Sequence, residues 1–200
     1  MTNLIEQYKD KWNEVSWEIS SAKCAFYALL AFAEWQEKFI KASKTNKPVK
    51  MTFIYSIMIV SNALCTEFFI SACRIREESR TKYSLPLLFK DVKRLDIMKS
   101  EDIKKIENLL IATKEIYGKF KKIRGRAVAH LQQPQNAILA LRNKGITIED
   151  VICYLENCSN MFGVLGKPIN KEWNYNIRKE GKKIMQEFQS IFKCISPIPD

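Results

Sequence analysis

Between Lys122 and Gln132 the chain places its single histidine, His130, within six residues of two arginines, Arg124 and Arg126. An imidazole titrates near neutral pH and can take or give a proton. A guanidinium stays charged and can hold phosphoryl oxygens through paired N–H groups. The surroundings are of one sign. From Ile116 to Ile148 there is no Asp or Glu, while Lys119, Lys121, Lys122, Arg124, Arg126, Arg142 and Lys144 are all cationic. A titratable group beside fixed cations can be a phosphate-handling site, or it can be an accident of sequence. No other segment offers an alternative. The chain lacks a Walker-type glycine loop, a Gly-x-Ser-x-Gly elbow and a cluster of carboxylates. His130 is therefore the candidate proton-transfer group.

Helical spacing sets a competing reading beside this one. His130 lies seven residues beyond Ile123, fourteen beyond Ile116 and twenty-one beyond Leu109, close to an apolar stripe. A histidine there can simply be a packing residue. Arg126, four residues earlier, shares its helical face. Arg124, six earlier, points about 120° away unless the helix loosens at Gly125.

The chain's composition is that of an ordinary globular protein: 200 residues, 46% hydrophobic and 28% charged. A chain of this length needs no disulfide or metal to build a core. It reads as one domain over 1–194 with a loose tail at 195–200. Only six Gly and six Pro favour long regular elements. The net charge of +11 suits a polyanionic partner, although a general richness in lysine produces the same excess. Cys24, Cys65, Cys73, Cys153, Cys158 and Cys194 form no Cys-x-x-Cys pair, and one histidine cannot complete a zinc site with them. They read as reduced thiols on apolar faces of a cytoplasmic protein. The N-terminal residues do not form a signal peptide, and no cofactor or metal is implied.

The elements that must carry the motif are helices. Tyr8, Trp12, Val15, Ile19, Ala22, Phe26, Leu29 and Ala33 alternate steps of four and three, which predicts one long helix over 3–41. At ~1.5 Å per residue it would measure about 60 Å. A bend at Ser20–Ser21, or an end projecting to meet a partner, is therefore expected. Residues 51–73 form the most apolar run and are about long enough to span a bilayer. Asn62 and Glu67 inside it favour a core helix buried nearly all round over a membrane span, with Glu67 a buried or cleft carboxylate paired to a Lys or Arg of a neighbouring helix. Ser84 and Pro86 suit the start of a short helix. Ser100 opens the motif helix, about 101–132, with Glu101 and Asp102 in its first turn. A short element over 137–144 ends at Gly145. Thr147 caps a helix with Val151, Leu155, Cys158 and Phe162 on one side, stopped by Gly163, Gly166 and Pro168. A last helix from Trp173 to Cys194 carries Ile177, Ile184, Phe188 and Ile191. No strand is predicted, so the fold class is all-α, a bundle of about five main helices.

The run from Arg124 to His130, with five residues between the two and Ala129 before the histidine, resembles the motif of the HEPN superfamily. The order of elements, with a long helical N-terminal part and the segment from Tyr83 to Leu88 ahead of the motif helix, is similar to HEPN domains of abortive-infection (anti-phage) proteins. The close match covers about ten residues and the helical order extends it over about 1–165. The resemblance implies a HEPN-like bundle and a metal-independent endoribonuclease. Two subunits would place their motif helices across a cleft. In that scheme His130 moves a proton and Arg124 stabilises phosphoryl charge. Lys119, Lys121 and Lys122 hold the RNA backbone. An antitoxin protein is a further implied partner. Two positions depart from the usual pattern: Gly125 stands where Asn or Asp is common, and Leu131–Gln132 where a charged or polar pair is common. Arg126 could compensate. The alternative is a non-catalytic helical module of the same fold that binds RNA or protein.

Overall fold

The computed structural model describes residues 2–46, 51–78, 83–129 and 137–195. Among them the elements are α1 (Thr2–Asn46), α2 (Met51–Arg74), α3 (Leu85–Leu95), α4 (Ser100–Ala112), α5 (Lys114–Ala129), α6 (Ala137–Arg142), α7 (Ile148–Gly166), a 3-10 turn (Lys167–Ile169) and α8 (Ile177–Ile195). The described chain is an all-α bundle, and α1 packs against α2, α3, α7 and α8.

α1 runs 45 residues without a break at Ser20–Ser21, about 67 Å at 1.5 Å per residue. Its apolar stripe explains the continuity, because the stripe is covered well beyond the serines. Tyr8, Trp12, Val15, Ile19, Ala22, Phe26 and Leu29 are buried in the main core. Ala31, Phe32, Trp35 and Phe39 then join Phe192 of α8 in a second core. Trp35 stacks on Phe39 with ring centres 5.4 Å apart, and Phe32 meets Phe192 edge-on at 5.4 Å. At the other end Tyr8 donates to the Leu165 carbonyl at 2.7 Å, and the Trp12 ring stacks on Phe162 at 4.2 Å. α8 lies so close to α1 that a Cβ on Gly181 would stand 2.0 Å from the Tyr27 ring.

Two expectations for α2 fail. Its C-terminal half is buried through Cys65, Phe68, Phe69, Ala72 and Cys73, but Ile59 and Val60 are exposed. Its neighbours are chiefly α1 and α5, and they leave Ile59 and Val60 uncovered. Glu67 is likewise exposed, and its carboxylate accepts from Ser71 one turn on at 3.0 Å. No described helix is long and apolar enough to cross a membrane.

The motif helix is two helices, parted at Thr113. This buried hydroxyl donates to the Leu109 carbonyl at 2.9 Å, a return bond of the kind that bends helices. Downstream, Thr147 and Asp150 form the capping box that opens α7, and Val151, Leu155, Cys158 and Phe162 are all buried. Gly163 does not stop α7, which continues to Gly166. α8 begins at Ile177 rather than Trp173. Asn176 accepts from the Lys179 backbone N–H at 2.9 Å, and Trp173 turns inward to donate to Ser159 at 2.7 Å. Phe192 is buried in place of its neighbour Ile191, which is exposed. Cys65, Cys73 and Cys158 are buried as expected, whereas Cys24, Cys153 and Cys194 are exposed.

Candidate functional site

The site is assembled from α5 and the turn that leaves α2. α5 carries Tyr117, Lys121 and Arg124 at spacings of four and three, so the three side chains share one face. Phe120 and Ile123, on the adjoining face, anchor the helix. Phe120 is fully buried against Phe68, Phe69 and Tyr154.

After Arg74 the chain turns inward instead of out to solvent, and Ile75, Arg76 and Glu77 are all buried. The turn is held at both ends. The Ile75 N–H donates to Ser71 O at 3.1 Å and the Leu85 N–H donates to Ile75 O at 2.9 Å. Just before it, the Tyr154 hydroxyl of α7 donates to the Ala72 carbonyl at 2.6 Å.

This turn delivers a carboxylate to Arg124. Nη1 of Arg124 donates to Oε2 of Glu77 at 2.7 Å and Nη2 to Oε1 at 3.1 Å. The bidentate bond to Glu77 raises the arginine further above its already high pKa, against the opposing effect of burial. Arg76 faces the other way. Its Nη2 donates to the Leu110 carbonyl at 2.9 Å, and its guanidinium sits 5.9 Å from the centre of the Tyr117 ring. The buried Nε–H of Arg76 has no hydrogen-bond partner among the described residues. Burial raises the Tyr117 hydroxyl pKa, with Glu77 acting in the same direction and Arg124 and Arg76 opposing. Burial pushes the Cys73 thiol up to about 12 even though Arg124 and Lys121 pull it down. Cys73 is therefore a neutral thiol and no nucleophile at physiological pH.

The predicted site residues are placed unevenly. Arg124 is half-buried and fixed by Glu77. Lys119 pairs with Glu115 one turn back at 2.8 Å. Lys121 and Lys122 are exposed and carry no ion pair among the described residues. Arg126 lies within α5 by its backbone, while its side chain, like His130, Leu131 and Gln132, lies outside the described residues. Gly125 is exposed, and a Cβ there would meet nothing within 4 Å among the described residues. Among the described residues no group of three or more His, Cys, Asp or Glu side chains could hold a metal ion. A surface groove between α7 and residues 175–177 is lined by Cys153, Asn157, Asn160 and Tyr175 and by no residue of α5.

Sequence reasoning missed Glu77, Arg76 and Tyr117. Glu77 stands 47 residues before Arg124 inside the charged stretch 74–82, where nothing local separates a buried carboxylate from a solvated one.

Comparison with known proteins follows this geometry. The family model HEPN_AbiU2, described as AbiU2, matches residues 57–177, more than half of the chain. The match contains the turn bearing Glu77, all of α5 and His130. No curated protein and no solved structure matches.

Proposed function

The chain belongs to the AbiU2 family of HEPN domains, of the abortive-infection type, and we propose that it is a metal-independent endoribonuclease acting as a toxin or anti-phage effector. The observation that carries this reading is Arg124. It is a fixed cation on α5, six residues before His130, inside the matched segment.

The reaction follows from those two residues. A base removes the proton of an RNA 2′-hydroxyl, and the 2′-oxygen attacks the adjacent phosphorus. The bond to the 5′-oxygen breaks and that oxygen takes up a proton. The products are a 2′,3′-cyclic phosphate and a 5′-hydroxyl. His130 moves the proton at the attacking or the leaving oxygen. Arg124 donates to the phosphoryl oxygens as negative charge builds on them. Lys121, on the face of Arg124, holds the flanking backbone and adds affinity rather than sequence choice, with a smaller contribution from Lys122 on another face. Lys119, paired with Glu115, contributes less. Arg126 is the second candidate cation, since it precedes His130 by one helical turn. The active form is a homodimer with two His130 side chains across one cleft, one for the attacking and one for the leaving oxygen. An antitoxin protein keeps it idle.

The test is cleavage of RNA by pure protein in EDTA, with mapped product ends. Wild type leaves cyclic phosphate ends, and His130→Ala abolishes cleavage. Cleavage that survives His130→Ala, or none by wild type, overturns the reading. Comparing Arg124→Ala with Arg126→Ala identifies the cation, because loss in the second alone would transfer the role to Arg126. A non-catalytic RNA- or protein-binding module is the second reading. It is favoured by Gly125 and by the bonds Arg124 already makes to Glu77. Its signature is salt-dependent RNA binding without cleavage.

A further inference from the structure

We infer that Glu77 is a positioning residue for catalysis, one that aims the Arg124 guanidinium so that its unused edge receives the scissile phosphate. The inference rests on the ribonuclease reading above.

The argument starts from which donors Glu77 takes. A guanidinium carries five N–H groups, and its end-on fork uses one hydrogen of each Nη. Glu77 occupies that fork, with Nη1 on Oε2 at 2.7 Å and Nη2 on Oε1 at 3.1 Å. The Nε–H and the outer Nη hydrogens remain. The Nε–H with the neighbouring Nη–H forms a second, side-on fork that matches two phosphoryl oxygens. Arg124 makes no described hydrogen bond other than those to Glu77. Its side chain keeps 15% of its surface, whereas that of Glu77 keeps 4%. The carboxylate is thus the buried, fixed partner and the guanidinium the one that reaches solvent.

The placement of Glu77 makes it a good anchor. The turn that holds it is bonded to α2 and to the start of α3, and Tyr154 ties its root to α7. An arginine on a helix otherwise samples several rotamers, and each degree of freedom removed beforehand is one that substrate binding need not remove. Two planar bonds fix the plane of the guanidinium as well as its position. Glu77 therefore acts through Arg124 and does not touch the substrate.

The experiment is steady-state cleavage of an RNA substrate by Glu77→Gln and Glu77→Asp in the full chain, with folding checked by circular dichroism. The amide of the first keeps one acceptor and loses the charge. The second keeps the charge and withdraws it by one methylene. At least a tenfold loss of kcat with KM within threefold is expected in whichever variant folds, because RNA binding by the lysines is untouched. A loss confined to melting temperature, with kcat within threefold of wild type, would make Glu77 merely structural and overturn the proposal. A rise in kcat would also overturn it, since the carboxylate would then be restraining Arg124. Wild-type protein that does not cleave RNA fails the ribonuclease reading instead, and the two failures are told apart by that control.

Discussion

Arg124 and Glu77 meet through two hydrogen bonds across 47 residues of sequence, and the carboxylate is the more buried partner. Removing the arginine takes the bidentate partner from a buried carboxylate, and breaking a buried pair from one side costs up to about 3–5 kcal/mol where the remaining charge has no other partner. Arg124→Ala should therefore lower the unfolding free energy by about 1–3 kcal/mol in urea titration, with an unchanged m-value. Adding Glu77→Leu to that variant should recover most of the loss, since a buried ion pair replaced by apolar groups is often neutral. A double variant no more stable than the single one would show that Glu77 has adequate partners without Arg124.

The capping box at α7 gives a pH-dependent prediction. The Thr147 backbone N–H and hydroxyl both donate to the Asp150 carboxylate at 2.8 Å, and these bonds hold its pKa below the ordinary aspartate value. A depressed folded pKa means that the stabilisation is complete above the unfolded pKa and is lost as pH falls through the folded one. Asp150→Asn should thus be less stable than wild type at pH 7. The gap should narrow as the titration is taken below the usual aspartate range. A gap independent of pH would mean that the charge of Asp150 contributes nothing to the cap.

These two pairs also show what was legible in the sequence. The Thr147 cap is local: four residues, one turn of helix, contain the whole interaction, so reading the spacing was enough. The stripe from Tyr8 to Leu29 is legible for the same reason, since burial follows a helical period that needs no knowledge of the partner. Glu77 and Arg124 are joined only by the tertiary path of the chain, and the acid-free window around Arg124 hid a carboxylate that arrives from elsewhere. Glu67 erred in the opposite direction. It sits in an apolar run, yet it is exposed while Phe68 and Phe69 beside it are buried, a difference of helical face that the apolar run does not reveal. The break at Thr113 escaped because the hydroxyl bond to Leu109 belongs to one side-chain rotamer and leaves no trace in the pattern of apolar residues.

Two glycines should respond oppositely to alanine. A Cβ on Gly181 would stand 2.0 Å from carbon atoms of the Tyr27 ring. The ring is buried between α1 and α8, so the helices must part or the ring must leave its place. A cost of about 1–3 kcal/mol is expected for Gly181→Ala, as for other overpacked cores. Gly125 lies inside α5 with no described atom within 4 Å of the same position. Gly125→Ala should stabilise by about 0.5–1 kcal/mol through helix propensity alone. Melting temperatures of the two variants check both signs together. A destabilising Gly125→Ala would reveal that α5 needs its glycine for a backbone adjustment near Arg124.

Lys121 and Lys122 follow one another on α5 and point in different directions around it, since successive helical residues differ by about 100°. Both are exposed and without an ion pair among the described residues, unlike Lys119, which is held by Glu115. Lys121 lies on the face shared by Tyr117 and Arg124, so under the proposed function RNA seated at Arg124 would pass over it. Each phosphate contact releases counterions and adds close to one unit to the slope of log affinity against log salt, about 0.7 for a single strand. Lys121→Ala should weaken RNA binding to a similar extent across sequences and reduce that slope by about 0.7, while Lys119→Ala and Lys122→Ala change it less. Fluorescence anisotropy with a labelled single-stranded RNA, titrated at several salt concentrations in the His130→Ala background, reads the slope without cleavage. Equal slopes in wild type and Lys121→Ala would remove this face of α5 from the RNA path and leave Arg124 without a backbone contact beside it.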